Sequence, residues 1–257
     1  MKRRLLSVLT LSILALNVNA QDETGSASES SNEKLNKLRF GVFVAPTMSW
    51  MRPSAAKDGD QTQKSGGSKI GFMYGLMGDY NFTSNYAIAL GLQVNSTGGK
   101  IETENPKAEY LWANKTSVDY TLQYLEVPLA LKLKTDRIGK VCFFGQAGLT
   151  IGFNISKKFT YDIVQERNAM ADTTYSTGEK EKITGKITSI APIVFQMNVG
   201  GGMQYSIGPK LDAYVGLFFN NGFAPNITDP TKFDKLPQFK DGNTRLNNFA
   251  IRLGFYF

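Results

Sequence analysis

From residue 38 onward, apolar side chains recur at every second position, the period of a strand with one apolar face. The clearest run is residues 248–257. It sets Phe249, Ile251, Leu253, Phe255 and Phe257 on one parity against Asn248, Ala250, Arg252, Gly254 and Tyr256 on the other. The same alternation predicts strands over residues 38–50, 70–80, 86–95, 141–155, 193–205 and 211–220. In residues 141–155, for example, Phe143, Leu149, Ile151 and Phe153 oppose Gln146, Gly148, Thr150 and Asn154.

Residues 118–134 form the eighth strand and break the rule. Leu125, Val127, Leu129, Leu131 and Leu133 keep one parity, with Glu126, Ala130, Lys132 and Lys134 opposite, but Tyr120, Leu122 and Tyr124 fall on the polar side. A β-bulge near Tyr124 and Leu125 would reset the register, and a bulged, tilted strand would also tolerate Pro128.

The connections alternate in length. Residues 81–85, 135–140 and 206–210 are short, whereas 51–69, 96–117, 156–188 and 221–243 are long. Short turns at one end and long loops at the other are the pattern of an even-stranded outer-membrane barrel. A soluble barrel would carry polar residues outside. Here the outward set is almost wholly Leu, Val, Ile, Phe and Met, and Tyr80, Tyr86, Tyr205 and Phe257 fall at one rim, where an aromatic girdle belongs. The fold expected is all-β, an eight-stranded antiparallel up-and-down transmembrane β-barrel.

The two ends agree with this. Residues 248–257 resemble the C-terminal strand of Gram-negative outer-membrane barrels, and the resemblance implies that Phe257 is the signal for barrel assembly. At the other end Lys2, Arg3 and Arg4 precede an apolar stretch over residues 5–16 and the small-residue site Val18-Asn19-Ala20. This is the layout of a secretory signal peptide cut between Ala20 and Gln21. The expected organisation is a signal peptide (1–20), a Ser-rich flexible periplasmic tail (21–37) and an outer-membrane barrel domain (38–257), with the protein exported to a Gram-negative outer membrane.

An eight-stranded barrel has an interior just wide enough for its own side chains. Arg39, Asp79, Glu126, Lys132, Asp212 and Arg252 face inward and are expected to pair in a structural charge network, since a lone buried charge is costly. The chain has no His. That removes the His-dependent dyads of outer-membrane hydrolases, acyl transferases and proteases, together with the commonest metal ligand. No catalytic site, metal or cofactor is expected. Asp58 with Asp60 and Glu102 with Glu104 read as solvated acids, Gly200-Gly201-Gly202 as strand packing, and Cys142 as a small strand residue. Tyr110-Leu111-Trp112 is an apolar cluster within a polar loop. Removing the three signal charges from the 29 basic residues leaves 26 against 22 acidic ones. These are dispersed, so no nucleic-acid surface is expected.

Tyr124-Leu125-Glu126-Val127-Pro128-Leu129-Ala130-Leu131-Lys132, followed by Phe144-Gly145-Gln146-Ala147-Gly148, resembles the hallmark of the PorT-like outer-membrane β-barrel family. A member of that family is required for export by the type IX secretion system, so the resemblance implies an accessory role in protein secretion. The residues themselves support a non-enzymatic structural or interaction component. A narrow channel and a lipid- or small-ligand-binding barrel are the alternatives. The partners expected are outer-membrane lipid, the barrel-assembly machinery and other envelope or secretion proteins, with the chain a monomer.

Overall fold

A computed structural model describes residues 37–58, 61–104, 115–166, 174–181, 190–227 and 243–257. The expected signal peptide, nearly all of the tail and Tyr110-Leu111-Trp112 lie outside these residues. The strands are β1 (Leu38–Pro53), β2 (Lys57–Asp58), β3 (Gln61–Asn81), β4 (Tyr86–Glu104), β5 (Lys115–Lys134), β6 (Val141–Glu166), β7 (Thr174–Glu181), β8 (Ile193–Gly208), β9 (Leu211–Gly222) and β10 (Thr244–Tyr256). Strands β2 and β7 lean on β3 and β6. The other eight are antiparallel neighbours in the order β1-β10-β9-β8-β6-β5-β4-β3, and β3 pairs with β1 to close the wall.

The register fixes the slant of the strands. From Ser49 one row of paired residues runs through Asn248, Asn220, Asn198, Gly148, Ala130, Ala89 and Asp79 and returns to β1 at Arg39, ten positions below its start. Row-mates therefore sit at different depths, and side chains that meet across the interior come from different rows.

Burial follows the predicted parity. On β1, Phe43, Ala45, Thr47 and Ser49 are buried, while Val42, Val44 and Met48 are exposed. Tyr80, Tyr86, Tyr205 and Phe257 are all on the outside at the short-turn end. From Tyr80 up to Ile70 is roughly 34 Å of strand at ~3.4 Å per residue, or about 25 Å along the barrel axis at a tilt of ~40°, the height of an apolar membrane band. At the far end the rings of Trp50, Phe219 and Phe249 cluster, with centroids 4.9 to 6.2 Å apart, and Phe195 stacks on Phe223 at 6.5 Å. The alternation showed only one aromatic girdle. The structure has a second.

Three expectations are corrected. First, β5 has no reset at Tyr124 and Leu125. Tyr120, Leu122, Tyr124, Glu126, Pro128, Ala130 and Lys132 all face inward on one parity. The register shift beside Gln123 and Tyr124 places the extra residue, Ile155, on β6. The apolar side chains above Glu126 point inward because the interior is itself apolar at that level.

Second, Pro128 needs no bulge. The β4–β5 register is the same on both sides of it, from Leu90↔Leu129 to Gln93↔Glu126, with only the rungs between them missing. Gly91 stands opposite. A Cβ there would lie 3.0 Å from Pro128 Cγ and 2.9 Å from the Leu76 carbonyl oxygen, so a glycine makes room for a ring that has no N–H to donate.

Third, three of the long connections, 51–69, 96–117 and 156–188, contain long continuations of the strands. The β3–β4 ladder continues up to Thr62↔Glu104, and the β5–β6 ladder up to Lys115↔Val164. Hydrogen-bonded wall therefore rises well above the second girdle.

Candidate functional site

The interior is built in three levels. At the short-turn end Lys132 Nζ lies 2.6 Å from Asp79 Oδ2 and 3.0 Å from the Tyr256 hydroxyl, which itself donates to Asp79 Oδ1 at 3.1 Å. Lys132 and Asp79 are 0% and 1% exposed. The ammonium also faces the rings of Tyr256 and Phe144, at 4.6 and 4.7 Å. A buried lysine is tolerable only with such a carboxylate and such ring faces around it. Arg39 Nη2 pairs with Asp212 Oδ2 at 2.8 Å, and Arg137 reaches the same oxygen at 3.1 Å. Gly200 and Gly202 leave space for the Phe218 and Phe144 rings, which any Cβ would strike. The triple glycine is wall packing.

The middle level is polar. Glu126 accepts from Gln93 Nε2 at 2.6 Å and Asn95 Nδ2 at 2.9 Å. Arg252 donates to the other end of the Gln93 amide, at 3.3 Å, and lies over the Phe218 and Phe43 rings at 4.2 and 4.9 Å. The Glu126 and Arg252 charges are thus linked through one amide. Beside them Gln146, Asn198, Asn220 and Asn248 form a directional chain of side-chain amides across β6, β8, β9 and β10.

The top level is an apolar plug of Met51, Ile101, Val118, Tyr120, Leu122 and Tyr124, closed by Ile190, Val194, Ile227 and Leu246. Ile190 and Ile227 lie outside the strands and join the wall by bridges to each other and to Thr244. Period-two reading missed them because they belong to no alternating run. Tyr120, Leu122 and Tyr124 carried the signal, in their apolar character on the inward parity.

All six inward charges predicted from the sequence lie in the interior, three at the short-turn level with Lys132 and two around Gln93. Gln93, Asn95, Tyr256 and the aromatic faces were missed. Phe257 is 59% exposed and exchanges backbone hydrogen bonds with Phe40. Glu102 and Glu104 are engaged by Lys64, at 3.8 and 2.7 Å. Cys142 is buried, its Sγ 3.3 Å from the Thr135 carbonyl oxygen. Among the described residues no three acidic, Cys or His side chains gather as a metal site would require.

The closed wall, apolar belt and filled interior agree with a match over residues 19–231 to the profile of the outer membrane protein beta-barrel domain. The chain belongs to that family. It is an outer-membrane β-barrel protein.

Solved barrels of low sequence identity are similar to it. Neisserial surface protein A is 13% identical, covering 84% of this chain and 95% of its own, with a TM-score of 0.38. The outer membrane protein OprG from Pseudomonas aeruginosa is 10% identical over 85% of this chain and 94% of its own, with a TM-score of 0.41. The outer membrane protease OmpT from Escherichia coli is 10% identical over 86% and 96%, with a TM-score of 0.36. No curated protein matches the chain.

Proposed function

We propose that this family member is a non-enzymatic, non-conducting interaction component of the outer membrane, whose contacts are made by the wall that rises above the second girdle. The observation that supports this is the filled interior. Lys132 with Asp79 and three aromatic rings block the short-turn end, and the plug around Tyr120, Leu122 and Tyr124 blocks the other. A small molecule has no continuous path between these levels, and the inward charges are already held by ion pairs or side-chain amides. With no His in the chain, acyl and peptide hydrolysis would lack the usual general base. What remains open to partners is the extended wall.

An accessory role in type IX secretion is the finer part of the proposal. It rests on the resemblance of residues 124–132 to the PorT-like hallmark, not on the geometry. Signal cleavage after Ala20 and a role for Phe257 in assembly complete it.

Planar-bilayer recording of the full chain, with photo-crosslinkers placed in β7 and in the β3–β4 extension, tests the reading. No stable conductance and a reproducible crosslinked neighbour are expected. A steady large pore would overturn it in favour of a channel.

A further inference from the structure

The lipid-facing surface is uneven. Between β8, β9, β10 and β1 it sinks into an apolar groove of about 530 Å³, within the range of pockets that hold small hydrophobic ligands. Its floor is Ala213 and Gly254, its walls include Val44, Met203 and Phe255, and its lower end is Tyr205. The depth has a sequence cause. Ala213 is registered between Phe255 on one side and Tyr205 on the other, so a small residue lies between two aromatic ones. The groove runs from the short-turn girdle toward the middle of the belt, where the surrounding solvent is hydrocarbon.

The rim below it is cationic. Lys210 occupies the turn between β8 and β9. Lys140 lies beside the same hairpin, its carbonyl oxygen accepting from the Ser206 N–H at 2.8 Å. Both lysines are exposed. Of the nearby carboxylates, Asp212 is paired with both Arg39 and Arg137, while Asp136 accepts a hydrogen bond from the neutral Asn85 amide and keeps its charge. Among the described residues neither Lys140 nor Lys210 is in an ion pair, and both stand at the level of the headgroup layer.

We propose that this groove is a phospholipid site. One acyl chain lies over Ala213 and Gly254, and an anionic headgroup meets Lys140 and Lys210 at the short-turn rim. A chain seated in the groove covers apolar surface that neighbouring lipids, packing side by side, would fill less well, and a phosphate beside two ammonium groups adds an electrostatic preference for anionic lipid.

The full chain, reconstituted with phosphatidylglycerol or phosphatidylethanolamine of the same acyl composition, is released from detergent for native mass spectrometry. The wild type is expected to retain one phosphatidylglycerol at severalfold higher occupancy than phosphatidylethanolamine. Ala213→Leu fills the floor and should remove the retained copy of either lipid, with Ala213→Val giving an intermediate loss. The double variant K140Q/K210Q should keep a bound lipid but lose the preference. Unchanged retention in Ala213→Leu, equal retention of the two lipids by wild type, or selective retention of lipopolysaccharide instead overturns the assignment. If Ala213→Leu fails to fold, as judged by the heat-modifiable band, the lipid comparison in wild type and K140Q/K210Q decides alone.

Discussion

Arg39 and Asp79 are register partners across β1 and β3, yet each has its ion pair elsewhere, Arg39 with Asp212 of β9 and Asp79 with Lys132 of β5. The slant of the strands accounts for this. A row of paired residues drops ten positions in one circuit of the barrel, so groups at equal depth belong to different rows. Each pair thereby ties together strands that share no backbone ladder. Side-chain pairing closes the barrel across its bore, as the β1–β10 and β1–β3 ladders close it around its girth.

The Lys132–Asp79 pair is the most completely sealed of these contacts. Removing one partner, as in Asp79→Asn or Lys132→Met, leaves a buried charge uncompensated and is expected to destabilise the barrel by about 3–5 kcal/mol. The double variant K132M/D79L, which removes both charges, should lose much less than the sum. Urea unfolding in detergent micelles, followed by tryptophan fluorescence, measures all three. Additive losses would mean that the pair is not the unit that holds the interior.

Gly91 and Pro128 give a steric prediction. Gly91→Ala places a methyl group against the proline ring and the Leu76 carbonyl and should destabilise by about 1–3 kcal/mol, the usual range for overpacking. Adding Pro128→Ala should recover a large part of that loss. No recovery in the double variant would show that the Leu76 contact, not the ring, is limiting.

The alternation carried the fold, and the reason is physical. In hydrocarbon every outward side chain must be apolar and every backbone group paired in a closed wall, so Leu90, Leu129 and Phe255 declare their face one residue at a time. The interior obeys no such rule. It can be ionic at Lys132, amide-lined at Asn198 and apolar at Leu122, and parity says only that these point inward. That is why Tyr120, Leu122 and Tyr124 suggested a bulge that β5 does not have. The inward charges could be named from the sequence, but not their partners, because depth depends on a slant that only the register reveals. Gln93, the amide between Arg252 and Glu126, carried no mark beyond its parity.

The two faces can be separated chemically. With Cys142→Ser as background, single cysteines at Leu90 or Leu129, both exposed to lipid, should be shielded from a water-soluble maleimide. A cysteine at Ser176, in β7, should react on intact cells. Equal labelling at the two kinds of position would contradict the assignment of belt and extension.

Phe257 completes the outward row of β10 and exchanges backbone hydrogen bonds with Phe40 at the seam where the wall closes. An unpaired edge in lipid leaves backbone groups with no partner, each at a cost of several kcal/mol. Deleting Phe257 should therefore lower the yield of folded barrel in the membrane, read as loss of the heat-modifiable band. An undiminished band would remove Phe257 from the assembly pathway.

The upper wall is where contact with partners is expected. The β5–β6 ladder rises to Lys115↔Val164, and β7 adds a further strand against β6 from Tyr161↔Glu181 to Glu166↔Thr174, whereas hairpin loops of about 2–5 residues would suffice to join the membrane strands. Structure maintained beyond that need, on a rigid scaffold, is where binding residues usually lie. Replacing residues 156–186 with a tight turn should leave a folded, heat-modifiable barrel, because the Lys132–Asp79 level, the Glu126–Gln93–Arg252 level and both girdles lie below the cut. It should abolish secretion or surface phenotypes and the crosslinked neighbour. The complementary variants are Glu126→Gln and Arg252→Ala, which disturb the interior and leave the upper wall intact. They should lower stability, by analogy with other buried charges, yet preserve the phenotype wherever the barrel still folds. If the trimmed barrel keeps its phenotype while a well-folded Glu126→Gln or Arg252→Ala loses it, the extension is dispensable and the interior is the working site.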